Sequence, residues 1–135
     1  MSSGFLDSNV LLYLLSADPA RADRAQDLLR AGVTISVQVL NEVTNVARRK
    51  LGMDWREIEE FLSLVRHFCT IAPVTEGTHD EARRLAERYQ LSFYDALICA
   101  AALQTECSTL FSEDMQDGLL IDQRLRVRNP FVPER

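Results

Sequence analysis

Four short apolar stretches, Gly4-Phe5-Leu6 and residues 33–37, 70–74 and 108–111, alternate along this chain with longer segments whose apolar residues recur at helical spacing. Runs of this length are strand-sized, and the helical segments between them are long enough to cross from one parallel strand to the next. The pattern therefore selects an α/β fold with a mostly parallel sheet covered by helices on both faces and joined by right-handed crossovers. Helices are expected over residues 7–15, 20–31, 37–51, 78–89 and 92–103. A further one is opened by the capping box Asp54-Trp55-Arg56-Glu57, with Ile58, Phe61, Leu62 and Val65 facing inward. Residues 119–121 and 125–127 read as edge strands, with Asn129-Pro130-Phe131 as a stop. At 135 residues and 47% hydrophobic content, the chain is sized for one domain with a real core.

Four acidic residues, distant in sequence, fall where apolar runs stop or border a buried stripe: Asp7, Glu42, Asp95 and Asp114. In an open parallel sheet, ligands bind outside the carboxyl ends of the strands, where such acids can meet. Two unit charges about 4 Å apart repel by roughly 4 kcal/mol at an effective dielectric near 20, so a converging set calls for a cation or raised pKa values. Hard oxygen ligands suit Mg²⁺ or Mn²⁺. Singly, Asp7 could cap a helix, Asp95 is the third residue of the capping box Ser92-Phe93-Tyr94-Asp95, and Asp114 could shape a turn before Gly118. Glu42 is harder to dismiss. It lies three residues after Val39 and four before Val46, flanking the buried stripe, and Arg48, Arg49 and Lys50 are not at the spacings that pair side chains on a helix.

Taken together, Phe5-Leu6-Asp7-Ser8-Asn9-Val10-Leu11, Val39-Leu40-Asn41-Glu42-Val43, Ser92-Phe93-Tyr94-Asp95-Ala96-Leu97-Ile98 and Leu110-Phe111-Ser112-Glu113-Asp114 resemble, in order and spacing, the motifs of PIN domains. Within that family the chain is similar to the toxin ribonucleases of bacterial VapBC toxin–antitoxin pairs. The resemblance covers nearly the whole chain. It implies a single PIN-like domain over residues 1–135, a three-layer sandwich with a central, mostly parallel sheet flanked by helices. Carried over by position, it makes Asp7, Glu42, Asp95 and Asp114 the acidic quartet that holds Mg²⁺ or Mn²⁺. Asn9 and Ser112 match supporting polar positions. Many PIN domains follow the fourth acid with an Asp two positions on and then Phe, whereas this chain has Met115-Gln116-Asp117-Gly118, so Asp117 ranks as a supporting residue after Asp114. Glu113 reads as solvated.

The resemblance implies metal-dependent cleavage of RNA leaving a 5′-phosphate and a 3′-hydroxyl, a cognate antitoxin and a homodimer. Tyr13, Leu14, Trp55 and Phe61 are large apolar candidates for the dimer contact. The alternative is a non-catalytic RNA- or protein-binding PIN domain, against which stands the retention of all four acids. Receivers and Asp-rich phosphotransferases need a late lysine, and Lys50 is the only lysine. The net charge of −5 argues against broad capture of nucleic acid and suits a small basic partner. Arg124, Arg126 and Arg128 alternate on an extended segment and could form an RNA or partner strip. His67 and His79 read as surface or satisfied structural residues. Cys69, Cys99 and Cys107 lack the pairing of zinc or redox motifs and fit a reducing cytoplasm, and the apolar stretch over residues 10–15 is too short for a membrane span.

Overall fold

A computed structural model describes residues 4–133. The elements run β1 (Gly4–Leu6), α1 (Ser8–Leu12), a 3₁₀ turn (Tyr13–Leu15), α2 (Pro19–Arg30), β2 (Val33–Ser36), α3 (Val37–Arg49), α4 (Trp55–Phe68), β3 (Cys69–Ala72), α5 (Glu76–Tyr89), α6 (Phe93–Gln104), β4 (Thr109–Phe111), β5 (Leu120–Ile121) and β6 (Leu125–Arg128). Among the described residues the sheet has strand order β3-β2-β1-β4-β6-β5. All pairings are parallel except β5 with β6.

The connections from β1 to β2 and from β2 to β3 step one way across the sheet. The connection from β3 to β4 returns past β1. Right-handed crossovers then place the two earlier helix pairs and the α5–α6 pair on opposite faces, the three-layer arrangement expected from the sequence. The reversal of direction falls between β1 and β4, and the crevice it opens at their carboxyl ends is where such sheets bind ligands. Phe5, Leu6, Ile35 and Leu110 are fully buried in the central strands, and every residue of α6 from Ala96 to Leu103 is buried. A helix apolar all round belongs between other layers, and α5 packs over its outer side.

Several boundaries differ from the sequence expectation. Residues 125–128 do not form an edge. They pair with β4 on one side and β5 on the other, with Leu125 and Val127 fully buried. Alternation of Leu and Val with Arg looked half-exposed, but the arginines bend back to carbonyls: Arg126 donates to Gly118 O at 3.0 Å and Arg124 to Leu103 O at 3.2 Å. Of the three residues of the expected basic strip, Arg124 and Arg128 remain exposed and Arg126 is half-buried, with Arg124 and Arg126 each donating to a carbonyl. Helix α5 starts ahead of the expected Thr78 because Thr75 and Thr78 make a reciprocal capping box. Ser36 caps α3, accepting from Val39 N at 3.3 Å, so β2 stops one residue sooner. Phe61, a candidate dimer contact, is core at 8% exposure, whereas Trp55 is 61% exposed with Arg48 over its ring.

The β5–β6 turn carries a testable strain. Asp122 and Gln123 have φ of 51° and 56°, and Arg124 N donates to Ile121 O at 3.0 Å. Two successive positive φ values suit Asn-Gly or Asp-Gly. Asp122 is anchored by Tyr89 and Arg84, while the Gln123 position is exposed. Gln123→Gly should therefore stabilise the fold by about 0.5–1 kcal/mol, read as a higher midpoint in urea denaturation. A lower midpoint would mean that the Gln123 side chain contributes more than its backbone costs.

Candidate functional site

Asp7 stands where β1 ends and α1 begins. Its extended backbone makes it the N-cap, and its amide donates to Phe111 O at 2.9 Å, locking it beside the end of β4. The carboxylate is 2% exposed. Oδ1 accepts from Ser8 N at 2.7 Å, and Oδ2 accepts from Ser112 Oγ at 2.7 Å and Asn9 Nδ2 at 3.2 Å. Burial pushes its pKa up to about 6; the bonds from Ser112 and Ser8 oppose the rise, and the charges of Glu42 and Asp95 add to it.

Glu42 reaches the same place from α3. Its Oε1 accepts from Ser8 Oγ at 2.6 Å and its Oε2 from Gln38 Nε2 at 3.2 Å. Ser8 therefore bonds Asp7 through its amide and Glu42 through its hydroxyl. Asp95 is half-buried in the first turn of α6, which Ser92 caps through Asp95 N at 3.2 Å. Its pKa is raised, first by burial and further by Glu42 and Asp114, against a lowering bond from Ser92. Asp114 is exposed on the loop after β4. The four carboxylates thus form one connected electrostatic set: Asp7 with Glu42 and Asp95, and Asp95 with Glu42 and Asp114.

Ser112 is fully buried and bridges the set to its loop, donating to Asp7 and accepting from Met115 N at 3.2 Å. Asn9 donates to Asp7 and accepts from Glu113 N at 3.1 Å through Oδ1. Asp117 is exposed, and its Oδ1 accepts from Asn129 N at 2.9 Å, tying the loop to the residue after β6. Glu113 is not solvated: Tyr13 Oη donates to it at 2.6 Å and Arg21 forms an ion pair with it.

Three residues of the site were not singled out from sequence. Ser8 and Gln38 hold Glu42. Cys99 lies beneath the acids, its thiol pushed up to about 12 by burial, with Asp7 and Asp95 contributing. Cys99 could have been found, since it follows Asp95 by four residues on the same helical face.

Among the described residues, no three Asp, Glu, His or Cys side chains are grouped closely enough to enclose a metal ion as they stand. Asp7 and Glu42 are occupied by the hydrogen bonds above. Every buried side-chain polar atom among the described residues has a partner. The donor chemistry nonetheless fits a hard divalent cation, being carboxylate oxygens of which Asp7 and Asp95 are raised first by burial and further by the neighbouring acids. A separate cleft of about 760 Å³ at the opposite end of β2 and β3, lined by Thr34, His67, Cys69 and Glu106, contains none of the four acids.

The sequence matches the PIN domain family over residues 4–116. No curated protein matches it. The fold is similar to that in a toxin–antitoxin complex from Klebsiella pneumoniae, with TM-score 0.70 and 22% identity over 94% of this chain and 97% of that one. It is also similar to Mycobacterium tuberculosis VapC20, a toxin that cleaves the sarcin–ricin loop, with TM-score 0.65 and 22% identity over 82% and 89%. FitAcB from Neisseria gonorrhoeae has TM-score 0.64 and 17% identity over 95% and 98%.

Proposed function

The chain belongs to the PIN domain family, and from that premise we propose that it is a divalent-metal-dependent endoribonuclease, the toxin of a VapBC-type toxin–antitoxin pair. The observation that carries the reading is the buried, pKa-raised carboxylate of Asp7, coupled to Glu42 and Asp95 at the sheet's reversal point. A fold gathers like charges there at a cost, and the cost is offset when a cation is held. The structural likeness to proteins of toxin–antitoxin complexes supports an antitoxin partner, and the exposed Trp55 leaves apolar surface for a homodimer or that partner.

In this reading Asp7, Asp95 and Asp114 hold Mg²⁺ or Mn²⁺, with Glu42 completing the negative set. When bound, the ion supplies Lewis-acid stabilisation of the phosphodiester oxygens and lowers the pKa of water. The protein's own part is positioning. Ser8 fixes Glu42 against Asp7, and Ser112 and Asn9 orient the second oxygen of Asp7. No side-chain nucleophile is required, and the Cys99 thiol, buried and raised, stays protonated near neutral pH.

Attack of water on phosphorus with the 3′-oxygen leaving yields a 5′-phosphate and a 3′-hydroxyl. Purified protein incubated with an RNA pool and Mn²⁺ should therefore yield fragments whose 5′ ends ligate without prior kinase treatment. Fragments ending in 2′,3′-cyclic phosphate would contradict the mechanism, since they arise from attack by the RNA's own 2′-hydroxyl. RNA bound but left uncut would favour the non-catalytic PIN reading.

A further inference from the structure

The loop that carries Asp114 is held from two sides. On the inner side Ser112 Oγ accepts from Met115 N and donates to Asp7. On the outer side the neighbour of Asp114, Glu113, is gripped by residues from far earlier in the chain: Tyr13 Oη donates to its carboxylate at 2.6 Å, and the Arg21 guanidinium pairs with it. Arg21 is itself fixed. Its guanidinium carbon lies 5.1 Å from the Tyr13 ring centre and 4.9 Å from that of Phe131, and its Nε sits 3.4 Å from Asp18. Tyr13 and Phe131 meet edge to face at 4.9 Å. The pair is only partly exposed, at 35% for the Arg21 side chain and 25% for Glu113. A planar cation that lies against two mutually touching rings and pairs with a carboxylate through Nη1 is more constrained than a solvated surface pair.

The grip continues into the acids. The Glu113 amide donates to Asn9 Oδ1, and Asn9 Nδ2 donates to Asp7 Oδ2 and, at 3.4 Å, to Ser112 Oγ. Arg21 is thus linked to Asp7 through Glu113 and Asn9, and to Asp114 through one peptide bond.

We propose that Arg21 is a positioning residue of the metal centre: with Tyr13 and Phe131 it clamps Glu113, and the clamp sets where Asp114 and the Asn9 amide stand relative to Asp7. The clamp also keeps the Glu113 carboxylate turned to Arg21, so that it does not compete as a further ligand beside Asp114. The inference rests on the reading of the four acids as a metal site. It adds a role for Arg21 on α2 and Phe131 after β6, which act on the four acids through Glu113.

The test is Mn²⁺ binding followed by electron paramagnetic resonance, which needs no catalysis. Partners behind metal ligands typically contribute 10–100-fold to affinity, so Arg21→Ala should weaken Mn²⁺ binding about 10-fold. Glu113→Gln, which leaves the ring stack around Arg21 in place, should weaken it to a similar degree. The double variant should be no weaker than the worse single one, because both changes break one clamp, and Arg21→Lys should recover part of the loss. In cleavage assays the Mn²⁺ concentration for half-maximal rate should rise in parallel while KM for RNA stays near the wild-type value. Wild-type Mn²⁺ affinity in Arg21→Ala and Glu113→Gln, losses that multiply in the double variant, or a rise confined to KM for RNA would overturn the clamp. A wild-type protein that binds no Mn²⁺ would instead remove the metal-centre reading, and the clamp with it.

Discussion

Asp7→Asn should lower ribonuclease activity by at least about 10³-fold, a loss of roughly 4 kcal/mol of transition-state stabilisation, while the protein stays folded and gains stability without metal. Asparagine keeps the shape of the side chain and can still accept from Ser8 N, but it removes the buried charge that draws the cation. In EDTA the wild type should fall to the same floor, and Mg²⁺ or Mn²⁺ should restore it alone. The stability change has a definite sign. A carboxyl raised from 3.8 to about 6 binds its proton more tightly folded than unfolded, so its ionised form destabilises the fold above about pH 6. The full effect corresponds to about 3 kcal/mol and fades as pH falls from about 6 to 3.8. Asp7→Asn should thus melt several degrees higher than wild type at about pH 8 in EDTA, with the gap closing near pH 4. Equal cleavage by both proteins, or cleavage that persists in EDTA, would show that the acids are not the catalyst.

Leu110→Ala should cost about 3 kcal/mol of stability and lower the melting temperature by roughly 10 °C. Leu110 is fully buried at the middle of β4, opposite Phe5 on one side and Val127 on the other. Truncation leaves a cavity on the face of the sheet that Leu110 shares with Phe5 and Val127, and those neighbours cannot move in to fill it because each strand is held by its own ladder. The damage should reach the site as well, since Ser112 lies two residues further on. A loss below about 1 kcal/mol in urea denaturation would mean that the sheet repacks around the gap.

What could be read in advance was what local pattern encodes. The places of Asp7 and Asp114 in the fold were legible because a carboxylate that ends an apolar strand has a fixed place relative to the sheet, and that of Glu42 because three- and four-residue spacing put it at the margin of a buried stripe. The helices were found from the same periodicity. Contacts between distant segments carry no such signature. Ser8 stood only as one residue of the first motif and is the bond between Asp7 and Glu42; Glu113 looked solvated because its partners, Tyr13 and Arg21, precede it by 100 and 92 positions. The placement of β6 was missed for a related reason. Whether a short strand is an edge depends on which strand arrives beside it, and alternating Leu, Arg, Val and Arg reads as an edge, whereas β4 and β5 pair with it on its two sides.

The interior position of β6 also orders events in time. β4 carries Ser112 and leads to Asp114, yet its outer neighbour is made only after both have been synthesised, and Ser112 N is satisfied by Arg128 O at 2.9 Å. At translation speeds of roughly 5–20 residues per second, the stretch from Asp114 to Arg128 emerges within seconds. Until it does, β4 has an open side, and the serine that orients Asp7 lacks its backbone support. β4 therefore gains its second neighbour, and Ser112 its backbone partner, only once β6 has docked.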